Sequence, residues 1–143
     1  MRTLGLFALI LAATLSFAEK ETVGELKARL DNAPVPDRAK LCVQIAQLQL
    51  RNADTLYTDG KVGEARNAVQ DIVLYSKQAR DAAQESRKHL KHVEIAVRKM
   101  AEKLADIKRT LAFEDQAPVG DAIQQLQDIR TSLLEAMFNK EKK

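Results

Sequence analysis

Gln84–Met100 reads QESRKHLKHVEIAVRKM. Whether a helix runs straight through this stretch or turns back inside it decides the fold. Ser86, Leu90, Val93, Val97 and Met100 follow one another by alternating steps of four and three, the spacing of one helical face. The same seam extends upstream through Val62, Ala65, Val69, Ile72, Ser76, Ala79 and Ala83, and downstream through Leu104, Ile107 and Leu111. Every position on it is apolar or small. No proline falls between Pro36 and Pro118, and no glycine between Gly63 and Gly120. A seven-residue repeat held this long predicts one near-continuous helix over about 61–111, with a left-handed coiled-coil seam. At 1.5 Å per residue such a helix would span roughly 75 Å. The alternative keeps the helices but breaks the long one near Ser86–His89 and folds the halves into a compact four-helix bundle; helix connections usually show some break in polarity, which favours the long helix.

Outward from this segment the chain is helical on both sides. Thr22 with Glu25 three residues later forms a capping-box pattern, and Leu26 and Leu30 share a face behind it. Pro34 and Pro36 end that short helix, because proline pushes the residue before it out of the helical region. A second helix is predicted from about Asp37, its N-cap, to Tyr57, with Leu41, Ile45, Leu48, Asn52 and Leu56 in one stripe. Thr58-Asp59-Gly60 stops it, Gly60 being able to take the left-handed conformation. After a loop at Glu114–Pro118 the last helix is expected from about Val119 to Asn139, with Ile123, Leu126, Ile129, Leu133 and Met137 facing inward. Short connections make these flanking helices antiparallel to the two halves of the central one. The expected register puts Leu56 near Ala65, Cys42 near Ala79, Ile123 near Ile107 and Met137 near Val93. The fold class is therefore all-α, as elongated antiparallel helical hairpins sharing one long central helix. Composition agrees: aromatics are 4% of the chain, and there are 5 glycines and 3 prolines.

The N-terminus has the pattern of an export signal. Met1-Arg2-Thr3 is a positive start, Leu4–Leu15 an apolar core too short to span a bilayer comfortably, and Ser16-Phe17-Ala18 a small-residue cleavage site. This predicts a signal peptide over 1–18 and a single helical domain over 19–143, exported to the periplasm or the extracellular space. The 23 Lys and Arg stand against 20 Asp and Glu, and Arg2 leaves with the leader, so the mature chain is close to neutral. That balance does not call for nucleic acid. Cys42 is the only cysteine and has no partner for an internal disulfide. Its place on the apolar stripe of KLCVQIAQL makes it a small hydrophobe.

The stretch that most resembles chemistry is again Gln84–Met100. Glu85, His89 and His92 are spaced i, i+4, i+7, which on an unbroken helix would line up three metal ligands on one strip. A closed site wants a fourth ligand and a second shell, and Lys88, Lys91 and Arg87 interrupt the strip. The prediction is therefore no metal, with Glu85, His89 and His92 the one candidate set. Non-covalent haem between His89 or His92 and Met100 or Met137 is the corresponding cofactor alternative, but both methionines fall at core positions, so no cofactor is expected. The basic residues from Arg87 to Arg109 are balanced by Glu85, Glu94, Glu102 and Asp106, and Glu94 with Arg98 forms a favourable i,i+4 pair. No catalytic set and no phosphate loop appears, so the chain does not read as an enzyme.

Two positions argue for contact with other proteins. Leu74 and Ile95 lie opposite the seam, where a lone helix should be polar. Val73, Leu74 and Tyr75 form a small apolar patch that Leu26 and Leu30 could cover, whereas Ile95 has no evident cover. Leu74, Tyr75, His89, His92 and Ile95 are the candidate partner-contact residues.

Ala53, Leu56, Gly60, Val62 and Ala65, in NADTLYTDGKVGEA, resemble the turn region of one tetratricopeptide-type helical hairpin over about residues 45–78. The resemblance implies a similar helix-turn-helix contact. Ile72 departs from it, standing where a small alanine is usual, and the closing proline is missing. The rest of the chain is similar to small bacterial exported helical proteins, a likeness that implies no particular activity. The expected function is that of an exported, non-enzymatic helical protein working through a protein partner or self-association, as an adaptor, envelope scaffold or assembly factor. The alternatives are a metal- or haem-binding bundle and an anionic membrane-surface binder.

Overall fold

The computed structural model describes residues 21–139, so the predicted leader and the charged tail lie outside the described residues. Five helices follow in order: α1 Val23–Leu30, α2 Val35–Thr58, α3 Val62–Ser86, α4 Leu90–Thr110 and α5 Phe113–Asn139. The described residues contain no strand.

The ends of these helices follow from a few side chains. Thr22 Oγ1 accepts from the Glu25 amide at 3.2 Å, and the Glu25 carboxylate accepts from the Thr22 amide at 3.3 Å, completing the predicted capping box. Helix α2 begins at Val35, before the expected Asp37, which sits in the first turn instead of capping it. Pro36 permits this, since a first-turn residue has no intrahelical bond to lose. At the other end Gly60 takes φ 76°, the Lys61 amide donates to the Leu56 carbonyl at 2.8 Å, and the Gly60 amide donates to the Tyr57 carbonyl at 3.1 Å. These two bonds close a Schellman motif and turn the chain into α3.

The continuous helix expected over 61–111 is not formed. Arg87 and His89 both adopt left-handed backbone, at φ 56° and 67°, and the chain reverses between Ser86 and Leu90. The seam itself is read correctly: from Ala65 to Ala83 and from Leu90 to Ile107 each position is buried. It is folded back on itself. The reason lies beside it. Ala68, Val73, Tyr75, Ala82, Ala96 and Ala101 are also buried, so each half of the segment presents an apolar arc wider than a two-stranded seam needs. A rod would leave that flank in water. At about 25 cal/mol per Å² of apolar surface, covering it outweighs two left-handed residues at roughly 1–2 kcal/mol each.

The four long helices close a ring in the order α2, α3, α5, α4, with α3 and α4 also touching and α2 and α5 not neighbours. Thus α2 and α5 do not lie end to end along one helix; they flank the α3–α4 pair from opposite sides. Cross-links fix the directions. Gln49 donates to Asp71 and Cys42 lies 3.9 Å from Gln78, so α2 and α3 are antiparallel in the predicted register. Arg66–Asp115, Lys77–Gln125 and Gln84–Ser132 pair in step, so α5 runs parallel to α3. Lys103 of α4 meets Asp54 near the end of α2, at 3.6 Å. Each helix is therefore antiparallel to the next in the chain.

The α4–α5 register differs from expectation. Arg130 donates to Glu94 at 2.9 Å, so Val93 is level with Arg130 and not with Met137. The cause is the connection: α5 starts at Phe113, after only Leu111 and Ala112, and the expected loop at Glu114–Pro118 is its first turns. Gln116 helps this early start by donating to the Leu111 carbonyl at 3.1 Å. Ile45, Ile72, Leu104, Leu126, Ile129 and Leu133 are the large side chains at the centre, each contributing about 1.5–3 kcal/mol by burial. Leu26 and Leu30 attach α1 to this core.

Candidate functional site

The reversal at Arg87–His89 places the histidines at one end of the bundle. Two left-handed residues flank Lys88, whose amide donates to Ser86 Oγ at 3.2 Å. Glu85 is then the last turn of α3, His89 the N-cap position of α4, and His92 an exposed residue of its first turn. The strip of three ligands needed an unbroken helix, and the break dissolves it. Among the described residues no three His, Cys, Asp or Glu side chains are grouped to hold a metal ion. Met100 is buried in the core, about 12 Å along α4 from His92 at 1.5 Å per residue.

The turn is cationic. His89 is held below the usual histidine pKa, first by loss of hydration and then by Lys40, His92 and Lys88, with Asp37 acting in the opposite sense. The start of α2 therefore stands beside this turn, and Lys40 and Asp37 reach the field of His89. Arg38, Lys40, Arg87, Lys88 and Lys91 are exposed and form no ion pair among the described residues.

The partner-contact candidates divide. Tyr75 is buried, and the Lys27 ammonium of α1 lies 5.3 Å from the centre of its ring while also pairing with Asp71 at 3.8 Å. It is part of the α1 attachment, not of a free surface. Ile95 is half-buried. Leu74 stays 47% exposed and lines a groove of about 420 Å³ between α3 and α5, with Val69, Val73, Pro118 and Ala122. Lys77 donating to Gln125 bridges the groove at 3.1 Å. Pro118, expected in a loop, is carried into this groove because α5 begins early.

Several notable residues lie outside the sequence candidates. Phe113 is 88% exposed at the start of α5, and Phe138 61% exposed at its end. Their exposure depends on where α5 begins and on its register, neither of which periodicity gave. Glu94 is buried and accepts from Arg130, with Arg98 Nε 3.6 Å away as the i,i+4 spacing predicts. The Arg130 partner required the α4–α5 register. Cys42 is buried as expected, and its thiol pKa is pushed up to about 11 by loss of hydration, with Arg38 opposing. Such a thiol is a packing group at neutral pH.

No helix among the described residues is long and apolar enough to cross a membrane. No family model matches the chain, and comparison with curated proteins and with solved structures gives no match either.

Proposed function

We propose that this is an exported, non-enzymatic helical protein that works by protein contact, as an adaptor, envelope scaffold or assembly factor. The observation that carries this reading is Leu74: a large apolar side chain left half in water beside the apolar groove of Val69, Val73, Pro118 and Ala122. A partner's apolar side chain seated there would bury Leu74 at the centre of a polar rim, the arrangement of an interface anchor. Arg66, Gln70, Lys77, Asp121 and Gln125 supply that rim. The export reading rests on the leader pattern of residues 1–18.

A photo-crosslinker placed at position 74 tests the contact in the native envelope. The expected result is a discrete adduct, with a second copy of the chain or with another protein, that is absent when the probe sits at exposed Asp128. Leu74→Glu in a chain probed at Gln70 should abolish the adduct. An identical adduct pattern from positions 74 and 128 would remove the groove from consideration as the contact surface.

A further inference from the structure

We propose that the groove between α3 and α5 takes a basic amphipathic helix of a protein partner. This rests on the reading of the groove as a contact surface and names the chemistry of what fills it. The bonds Arg66–Asp115 and Lys77–Gln125 keep α3 and α5 level at offsets of 49 and 48 residues. Leu74 is therefore level with Ala122, and Asp121 stands beside that pair on the α5 rim. From Glu114 to Gln125 the rim is about 16 Å long at 1.5 Å per residue, the length of about three helical turns. The helices α3 and α5 meet less extensively than α2 and α3 or α4 and α5, so this side of the ring is the one open to a further helix.

The sign of the occupant follows from α5. Its exposed positions include Glu114, Asp121, Asp128 and Glu135, one every seven residues, and no lysine or arginine. That spacing sets the four on one line along the helix, next to the residues that face α3. None has a base three or four residues away, and none forms an ion pair among the described residues. The exposed face of α4 is different: Lys99, Lys103 and Arg109 are interleaved with Glu102 and Asp106. The first turn of a helix favours an acid and accounts for Glu114, but that effect fades within a turn and leaves Asp121 without a reason inside the fold. The cations bordering the line are already engaged. Arg66 pairs with Asp115, Arg80 with Asp81, and Lys77 donates to Gln125. On the other flank of α5, Lys108 of α4 lies against Gly120 and forms no ion pair with Asp121, and Arg98 is held by Glu94 and Glu102. Asp128 and Glu135 lie past the Lys77–Gln125 bridge and add to the negative field without lining the groove. An apolar strip with acids along one rim selects a helix that carries apolar anchors and a Lys or Arg at matching spacing. A small apolar molecule would fill the floor but has no use for the carboxylates.

A pair of defined peptides tests the sign. Residues 19–143 contain the whole buried core, from Leu26 to Leu133, and lack the apolar leader that would itself bind such peptides. A labelled amphipathic peptide of about 14 residues, with leucine on one face and lysine at seven-residue spacing beside it, should bind this chain in fluorescence anisotropy. The same peptide with glutamate for lysine should bind at least about tenfold more weakly. Added salt should bring the two affinities together. Asp121→Lys should reverse the preference, whereas Asp128→Lys, past the bridge, should change it less. Both aspartates are exposed, so neither change touches the core. Leu74→Glu should abolish binding of both peptides. Equal binding of the two peptides to the unaltered chain would overturn the proposal, and so would no binding of the lysine peptide. The adduct at position 74 in the native envelope depends on neither peptide: a chain that forms it without discriminating by charge keeps the contact and loses this assignment. A dimer in sedimentation equilibrium that Leu74→Glu dissociates would also overturn the proposal and give the groove to a second copy.

Discussion

Ser76 sits at the centre of the bundle, fully buried, with its hydroxyl making no hydrogen bond. A buried hydroxyl without a partner costs about 1–3 kcal/mol relative to its hydrated state. Ser76→Ala keeps the small volume that lets the helices approach and removes that loss. It should stabilise the fold by about 1 kcal/mol, read as a raised urea midpoint at unchanged slope. Glu94 is the opposite case. Its carboxylate is buried but held by Arg130, so Glu94→Ala should destabilise by about 2–3 kcal/mol, the loss expected when a charged hydrogen-bonding partner is removed. Cys42 gives a pH test. Its thiol titrates at about 9 when unfolded and about 11 when folded. Above pH 9 the unfolded chain binds fewer protons than the native one, so stability falls as pH rises from 9 towards 11, by up to about 1.4 kcal/mol per pH unit from this group. Cys42→Ala should flatten that segment of the stability–pH curve. If the slope is the same in both chains, the thiol is already hydrated in the fold.

At the scale of elements, the turn at Arg87–His89 is the decisive feature, and it carries a built-in strain. Two non-glycine residues hold left-handed backbone there. Replacing either by glycine removes a steric penalty of roughly 1–2 kcal/mol, partly offset by the greater freedom of glycine in the unfolded chain. Arg87→Gly and His89→Gly should each stabilise by about 0.5–1 kcal/mol, measured by urea unfolding. In an unbroken helix the same changes would destabilise by about 1 kcal/mol each, so the sign alone separates the two structures. This turn also shows what was legible in the sequence. The capping box at Thr22, the Gly60 stop, the seam from Val62 to Leu111 and the α2–α3 register were all readable, because each depends on local spacing or one short turn. The reversal was legible only as the alternative break near Ser86–His89, because an apolar repeat is blind to whether its two halves pack on other helices or on each other. The signal lay in the flanking Ala68, Ala82, Ala96 and Ala101, whose burial marks a helix with more than one neighbour. The start of α5 was hidden by Pro118, which reads as a helix boundary but sits inside the helix. Once that start moved, Arg130 came opposite Glu94 and Phe113 and Phe138 became the exposed ends. The candidate surface was thus legible at Leu74 and not at the phenylalanines.

The shape of the whole molecule follows from the same competition. A rod with one central helix would extend roughly 75 Å at 1.5 Å per residue, and would bury a single seam. The ring of α2, α3, α5 and α4 has as its longest member α5, 27 residues, or about 40 Å by the same rise. Folding back at least doubles the neighbours of each long helix and makes one continuous core from Leu26 to Leu133. It also sorts the surface by position along the axis: the basic turn at one end, the Leu74 groove along the α3–α5 side. Small-angle scattering from residues 19–143 should give a maximum dimension of about 45–60 Å, allowing for side chains and the short tails at up to about 3.5 Å per residue. Lys88→Glu with Lys91→Glu should leave that dimension unchanged, because both side chains are exposed and neither turn residue's backbone depends on them. A maximum dimension of about 75 Å or more at low concentration would mean that the chain opens at Arg87–His89 in solution, and that the end-and-side division of its surface is lost.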